Sequence, residues 1–171
     1  MYIIEGYPEF VNDIKIIWDK FITKYRFKII NSSFDSVIMS NTKCIIELHL
    51  GVEERVFYFF RNQLTDNKFD YVPLQIYKGI PFDRNLVGGN NYPISNKEWI
   101  KLYAENNFRS ICQIDLPIVR DEITANFKTL LEGDFRFENE YFEWIKWYEQ
   151  QKKKGIDYKQ LSVYSYRNAK R

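Results

Sequence analysis

His49 is the only histidine in the chain, and Cys44 and Cys112 are its only cysteines, so the inventory of side chains suited to nucleophilic or metal chemistry is short. A single imidazole removes any mechanism that needs two and most metal sites, which draw on clustered His and Cys ligands. Strand alternation over residues 42–50 puts His49 beside Glu47 and on the face opposite Cys44, so neighbouring positions do not build a thiol–imidazole pair. Two carboxylate pairs, Glu53-Glu54 and Asp121-Glu122, have the residue types for general acid–base work. Adjacent residues point in different directions on strands and helices, which favours solvated acids, and Asp121 and Glu122 suit the first turns of a helix opened by Pro117. The sequence has no HExxH, CxxC, GxSxG or phosphate-loop motif, and Gly88-Gly89 lacks the Lys and Ser/Thr that a phosphate loop needs. The expectation is therefore a protein without catalytic residues, metal or cofactor.

The elements that would position these groups follow from hydrophobic period. Residues 8–25 place Phe10, Val11, Ile14, Ile17, Trp18, Phe21, Ile22 and Tyr25 at helical spacing, with Pro8 in the first turn and Asn12, Asp13, Lys15, Asp19, Lys20 and Lys24 around the rest. The period then shortens. Residues 27–30, 36–40, 42–50 and 54–61 are runs of β-branched and aromatic side chains punctuated by Asn31-Ser32-Ser33, Asn41 and Gly51, predicting a four-stranded antiparallel meander. The fourth strand is apolar on both faces, Val56, Tyr58 and Phe60 against Phe57 and Phe59. A central strand covered on both sides and an edge strand awaiting a partner both fit that pattern.

Residues 62–94 are the least regular. Asp66-Asn67 signals a turn, residues 72–80 fit either a strand or a short helix, and residues 88–93 read as an extended loop. Ser95 with Glu98 forms a capping box for a helix carrying Trp99, Ile100, Leu102 and Tyr103. Pro117 marks the next helix start, with a stripe of Val119, Ile123, Phe127, Leu130 and Leu131 that ends at Gly133. A last helix runs from Asp134 through Tyr141, Trp144, Ile145 and Tyr148 to Gly155. Residues 156–171 lack a clear period, leaving a short strand or a mobile tail. The fold class expected is α+β in a single domain over 1–171: an N-terminal helix, the meander, and C-terminal helices packed on the sheet.

With 171 residues, 45% hydrophobic and 18% aromatic, the chain has ample material for one core, and its mixed charge excludes collagenous and wholly disordered classes. Residues 1–10 do not read as a signal peptide and apolar runs such as 56–60 are too short to span a membrane, so a cytoplasmic protein with no membrane contact is expected. Two cysteines make no disulfide framework, and buried reduced thiols are expected. Lys152, Lys153, Lys154, Lys159, Arg167, Lys170 and Arg171 gather in residues 151–171 against Asp157 alone. With Tyr158, Tyr164 and Tyr166 interleaved, that tail offers, as the runner-up reading, a nucleic-acid-associated regulatory or defence protein that binds single strands; the reading preferred is that the tyrosines dock on the domain and the charges face water. A sequence pI near 8.4 is low for a dedicated nucleic-acid binder.

Aromatics exceed what one buried face requires. Phe142 and Trp147 lie off the stripe of the last helix, and Phe57 and Phe59 are in excess on the fourth strand. They are either anchors for a protein partner or covered by the C-terminal third. An amphipathic opening helix leading into residues 19–30 (DKFITKYRFKII), a short meander, and residues 130–135 (LLEGDF) before an aromatic helix together resemble small cytosolic immunity proteins of bacterial toxin–immunity loci. The resemblance covers residues 8–60 and 117–150 in style. It implies a non-enzymatic binder that occludes a cognate toxin protein through an interface differing between relatives, so it carries over no site residue. The contact surface expected from the residues themselves is the outer strand face with Glu47, His49, Phe57 and Phe59, the acidic turn Glu53-Glu54, and Trp147.

Overall fold

The computed structural model describes residues 9–51, 56–80, 96–105, 107–157 and 160–171. The opening amphipathic segment forms two helices, α1 (Phe10–Ile17) and α2 (Asp19–Tyr25), where the spacing alone predicts one. The interruption falls at Trp18, whose indole Nε1 donates to the carbonyl of Leu116 at 3.0 Å. Arg26 ends α2 in the left-handed region at φ 58°, with its N–H on Thr23 O and the Phe27 N–H on Ile22 O. A second departure concerns Asp13, which the pattern places on the polar circumference. It is buried, accepting from Gln113 Nε2 at 3.1 Å and pairing with Arg109 at 3.5 Å.

The class is α+β, but the antiparallel sheet has five strands rather than four, in the order β1 (Lys28–Ser32), β2 (Ser36–Ser40), β3 (Cys44–Leu50), β4 (Val56–Asn62) and β5 (Lys68–Asp70). The fifth was hidden by its length: three residues with one apolar side chain, Phe69, give no period to detect. Its presence decides the position of β4, which lies between β3 and β5 and is not an edge. A bulge between Ile29 and Asn31 interrupts the β1–β2 ladder.

Directly after β5, α3 (Tyr71–Lys78) resolves the strand-or-helix choice for residues 72–80. The Asp70 carboxylate caps it by accepting from the Val72 N–H at 3.0 Å, and Gly79 ends it at φ 66°. Helix α4 (Asn96–Ala104) follows, while Ser95 of the expected capping box and residues 88–93 lie outside the described residues. Pro117 does not start a helix. It sits inside α5 (Phe108–Asn126), whose true cap is Asn107, accepting from the Ser110 N–H at 3.3 Å. The missing N–H of Pro117 removes only the bond that the Gln113 carbonyl would accept, and burial of Cys112, Leu116, Val119 and Ile123 along one stripe holds the helix together across it. A break at Phe127 separates the short α6 (Lys128–Leu131), with Gly133 at φ 85° behind it. Helix α7 (Glu138–Lys153) is the expected last long helix, and in residues 156–171 the tail carries a helix, α8 (Val163–Ala169), in place of a strand.

One face of the sheet builds the core. Val37, Met39, Cys44, Ile46, Leu48, Val56, Tyr58, Phe60 and Phe69 are buried there with Phe10, Ile14 and Trp18 of the opening helices and the α5 stripe. Phe60 packs on Phe127 with ring centroids 5.2 Å apart, and Phe69 lies 5.2 Å from Tyr141 and 5.5 Å from Phe142 of α7. Both cysteines are buried thiols, and burial pushes the Cys44 thiol well up from its ordinary value. Among the described residues, no helix is long and apolar enough to cross a membrane.

Candidate functional site

The other face of the sheet gathers the polar residues. Alternation sends Glu47 and His49 of β3 and Phe57, Phe59 and Arg61 of β4 to this side, and the register sets Glu47 opposite Phe59 and His49 opposite Phe57. In the next strand Lys68 stands opposite Arg61 and Asp70 opposite Phe59. Cross-strand neighbours on one face are within side-chain reach.

Glu47 is the hub. Its carboxylate is buried and accepts from Arg61 Nη2, from Lys68 Nζ at 2.5 Å and lies 3.4 Å from His49 Nε2. Burial by itself would raise its pKa; the hydrogen bonds and charges of Lys68 and Arg61 outweigh that and hold it below the ordinary glutamate range. Arg61 Nη1 also donates to Asp66 at 3.0 Å. The bonds to Asp66 and Glu47 raise the guanidinium pKa. Around the hub, Lys68 Nζ sits 4.0 Å from the centroid of the Phe59 ring, and His49 meets the same ring edge-on at 5.5 Å. Phe57 rests on Gly51, where an added Cβ would come within 1.7 Å of the ring, and faces Tyr71 at 5.8 Å.

A carboxylate held ionised by two cations is a weak base with no proton to donate at neutral pH. Cys44 lies on the opposite face, as the alternation predicts. No group of three or more His, Cys, Asp or Glu able to hold a metal occurs among the described residues.

Of the expected contact residues, Glu47, His49, Phe57 and Phe59 are brought together. Glu53 and Glu54 lie outside the described residues. Trp147 packs elsewhere, half-buried on α7 against Tyr166 of α8 at 5.6 Å. Phe142 is likewise half-buried, against Phe69 and Tyr141. Sequence reasoning missed Arg61 and Lys68 as members of the cluster. Alternation along β4 signals Arg61, which shares the parity of Phe57 and Phe59, whereas Lys68 belongs to the undetected strand.

Other acids serve the fold. The expectation that Glu122 is solvated fails: it is half-buried and accepts from Tyr58 Oη and Gln75 Nε2, because its place three residues after Val119 and next to Ile123 sets it beside the buried stripe of α5. Asp121 is exposed and pairs with Arg120 at 2.8 Å. Asp115 accepts from the Val56 N–H at 2.7 Å. Glu138 ties down the β4–β5 turn, accepting from Asn62 at 2.6 Å, Thr65 at 2.7 Å and Asn67. In the tail, Arg167 forms a two-point contact with Glu140, both bonds 2.6 Å, and Lys170 reaches Glu143 at 2.6 Å. Tyr166 donates to Glu143 at 3.0 Å, and the Trp144 indole donates to the Leu161 carbonyl at 2.8 Å. No protein-family model matches the chain, and neither curated proteins nor solved structures give a match.

Proposed function

We propose that this chain is a non-catalytic, immunity-type protein of the bacterial cytoplasm that binds a cognate toxin and blocks it by covering it, with the outer sheet face as its contact surface. The observation that carries this reading is the pair Phe57 and Phe59, half-buried on the sheet face opposite Val56, Tyr58 and Phe60, Phe59 beside the ionic hub and Phe57 against Tyr71. Aromatic and arginine side chains set in a rigid frame are the usual anchors of protein interfaces, and steric blockade asks for no reactive group. Strands also hold such anchors in place more firmly than loops, which lowers the ordering cost of association.

A nucleic-acid role for the basic tail is the second reading, resting on Lys152, Lys153 and Lys154, which are exposed at the end of α7. Arg167 and Lys170 support it less, since Glu140 and Glu143 already engage them. Co-expression with a toxin gene sought beside this one tests the leading reading: rescued growth and co-elution on a sizing column are expected. Growth arrest with separate elution overturns it. Salt-sensitive oligonucleotide binding that vanishes when the three lysines are replaced by Gln would favour the tail instead.

A further inference from the structure

We infer that α8 is a releasable strap, which masks a seat on α3 and α7 that fits a basic, aromatic helical segment. This goes beyond the inhibitor reading above, because the strap shares no residue with the outer sheet face.

The first ground is how α8 is held. Its seven residues are fewer than the about 12–15 that an isolated helix needs, so α8 stands only while docked. Tyr166, Lys170 and Arg171 turn their backbone N–H groups to Ser162, Tyr166 and Asn168 of the same stretch. Among the described residues, the tie from outside to its backbone is the Trp144 indole on the Leu161 carbonyl. Leu161, Val163 and Tyr166 are its buried anchors. The rest of the hold is mostly charge: Arg167 on Glu140, with side chains 53% and 33% exposed, and Lys170 on Glu143, at 58% and 62%. Ion pairs that water reaches are weak and screened by salt, so this hold loosens without the core being touched.

The second ground is what α8 covers. Glu140 and Glu143 stand one turn apart on α7, and Arg167 and Lys170 repeat that spacing across from them. Tyr77 of α3 donates to the same Glu140 carboxylate at 2.9 Å and packs on Trp144 at 5.3 Å, while Trp147 meets Tyr166 at 5.6 Å. Arg167 holds the Glu140 carboxyl below its ordinary range and Lys170 does so for Glu143, so both acids stay charged. Stripped of α8, the seat presents two carboxylates beside Tyr77, Trp144 and Trp147. Its complement is a segment with two cations at that spacing and apolar anchors beside them, which is the make of α8 itself. A phosphate chain does not fit, since both acids repel it.

The test uses the full chain carrying Arg167→Glu and Lys170→Glu, which leaves the seat intact and repels the strap. By hydrogen exchange, residues 163–169 are expected to lose protection by about tenfold or more while α3 and α7 keep theirs. In the unsubstituted chain the same residues should lose protection as salt rises from about 0.01 M to about 1 M, again without α7 following. A labelled peptide of residues 160–171 should then bind the doubly substituted chain and not the unsubstituted one. Its counterpart with Glu for each basic residue should bind neither. Loss of protection across α3 and α7 together with α8 makes α8 part of the core and overturns the inference. So does salt-indifferent exchange at 163–169, or a peptide that binds both chains equally or neither of them. No toxin enters these measurements, so growth rescue bears on the inhibitor reading alone.

Discussion

The two faces of β4 carry nearly the same aromatic chemistry and have opposite fates. Val56, Tyr58 and Phe60 are fully buried beneath α5, while Phe57 and Phe59 are only half-buried beside Arg61. The inner rings meet other rings and aliphatic side chains of the helices; of the outer rings, Phe59 meets an ammonium and an imidazole, and Phe57 a backbone glycine and the Tyr71 ring. Apolar residues on both sides of a strand therefore do not imply that both sides are core. The neighbours across the strands decide it, and here a buried carboxylate with its cations occupies the ground that a second helical layer would need.

The strongest way to break this contrast is truncation on each face. Phe60→Ala should cost about 3–5 kcal/mol in urea unfolding, since it opens a cavity in packed core. Phe59→Ala should cost about 1 kcal/mol, the transfer of a ring that water already reaches in part. Equal losses would mean that the outer face is core after all.

Replacing the hub comes next. Glu47→Gln should lose about 1.5–3 kcal/mol at neutral pH, the range for hydrogen bonds to charged groups. Because the folded pKa of Glu47 is depressed, its contribution is complete above the unfolded value near ~4.3 and disappears as pH falls through the folded one. Unfolding midpoints of the two proteins should thus differ at pH 7 and converge in acid; a gap that stays constant with pH would show that the carboxylate's charge is not what matters. The smallest effect belongs to the tail. Arg167→Gln should speed amide exchange across 163–169 in a salt-dependent way without moving the global midpoint, because Leu161, Val163 and Tyr166 still anchor α8 by burial. A large drop in the midpoint would make the ion pair part of the core architecture.

Much of this was legible from period and punctuation. The helical spacing of residues 10–25, the alternation of Cys44, Ile46 and Leu48 against Glu47 and His49, and the stop at Gly133 all correspond to observed elements. What escaped depends on distant partners. The break at Trp18 coincides with an indole bond to a carbonyl 98 residues away, and the burial of Asp13 depends on Gln113 and Arg109 of α5. Likewise β5 exists through pairing with β4, so the cation it contributes to the hub had no local signal. Glu47, His49, Phe57, Phe59 and Arg61 were readable from strand parity, and Lys68 only from register across a turn.

Gly51 has a consequence for how such a surface changes over generations. Its bare α-carbon is the seat on which the Phe57 ring lies, and even a methyl group there would collide with that ring. A one-codon change at this backbone position would swing an aromatic side chain without altering it, recontouring the face while every charge stays in place. A change in the shape of this face then begins at the backbone beside Phe57 and not at the aromatic residues themselves.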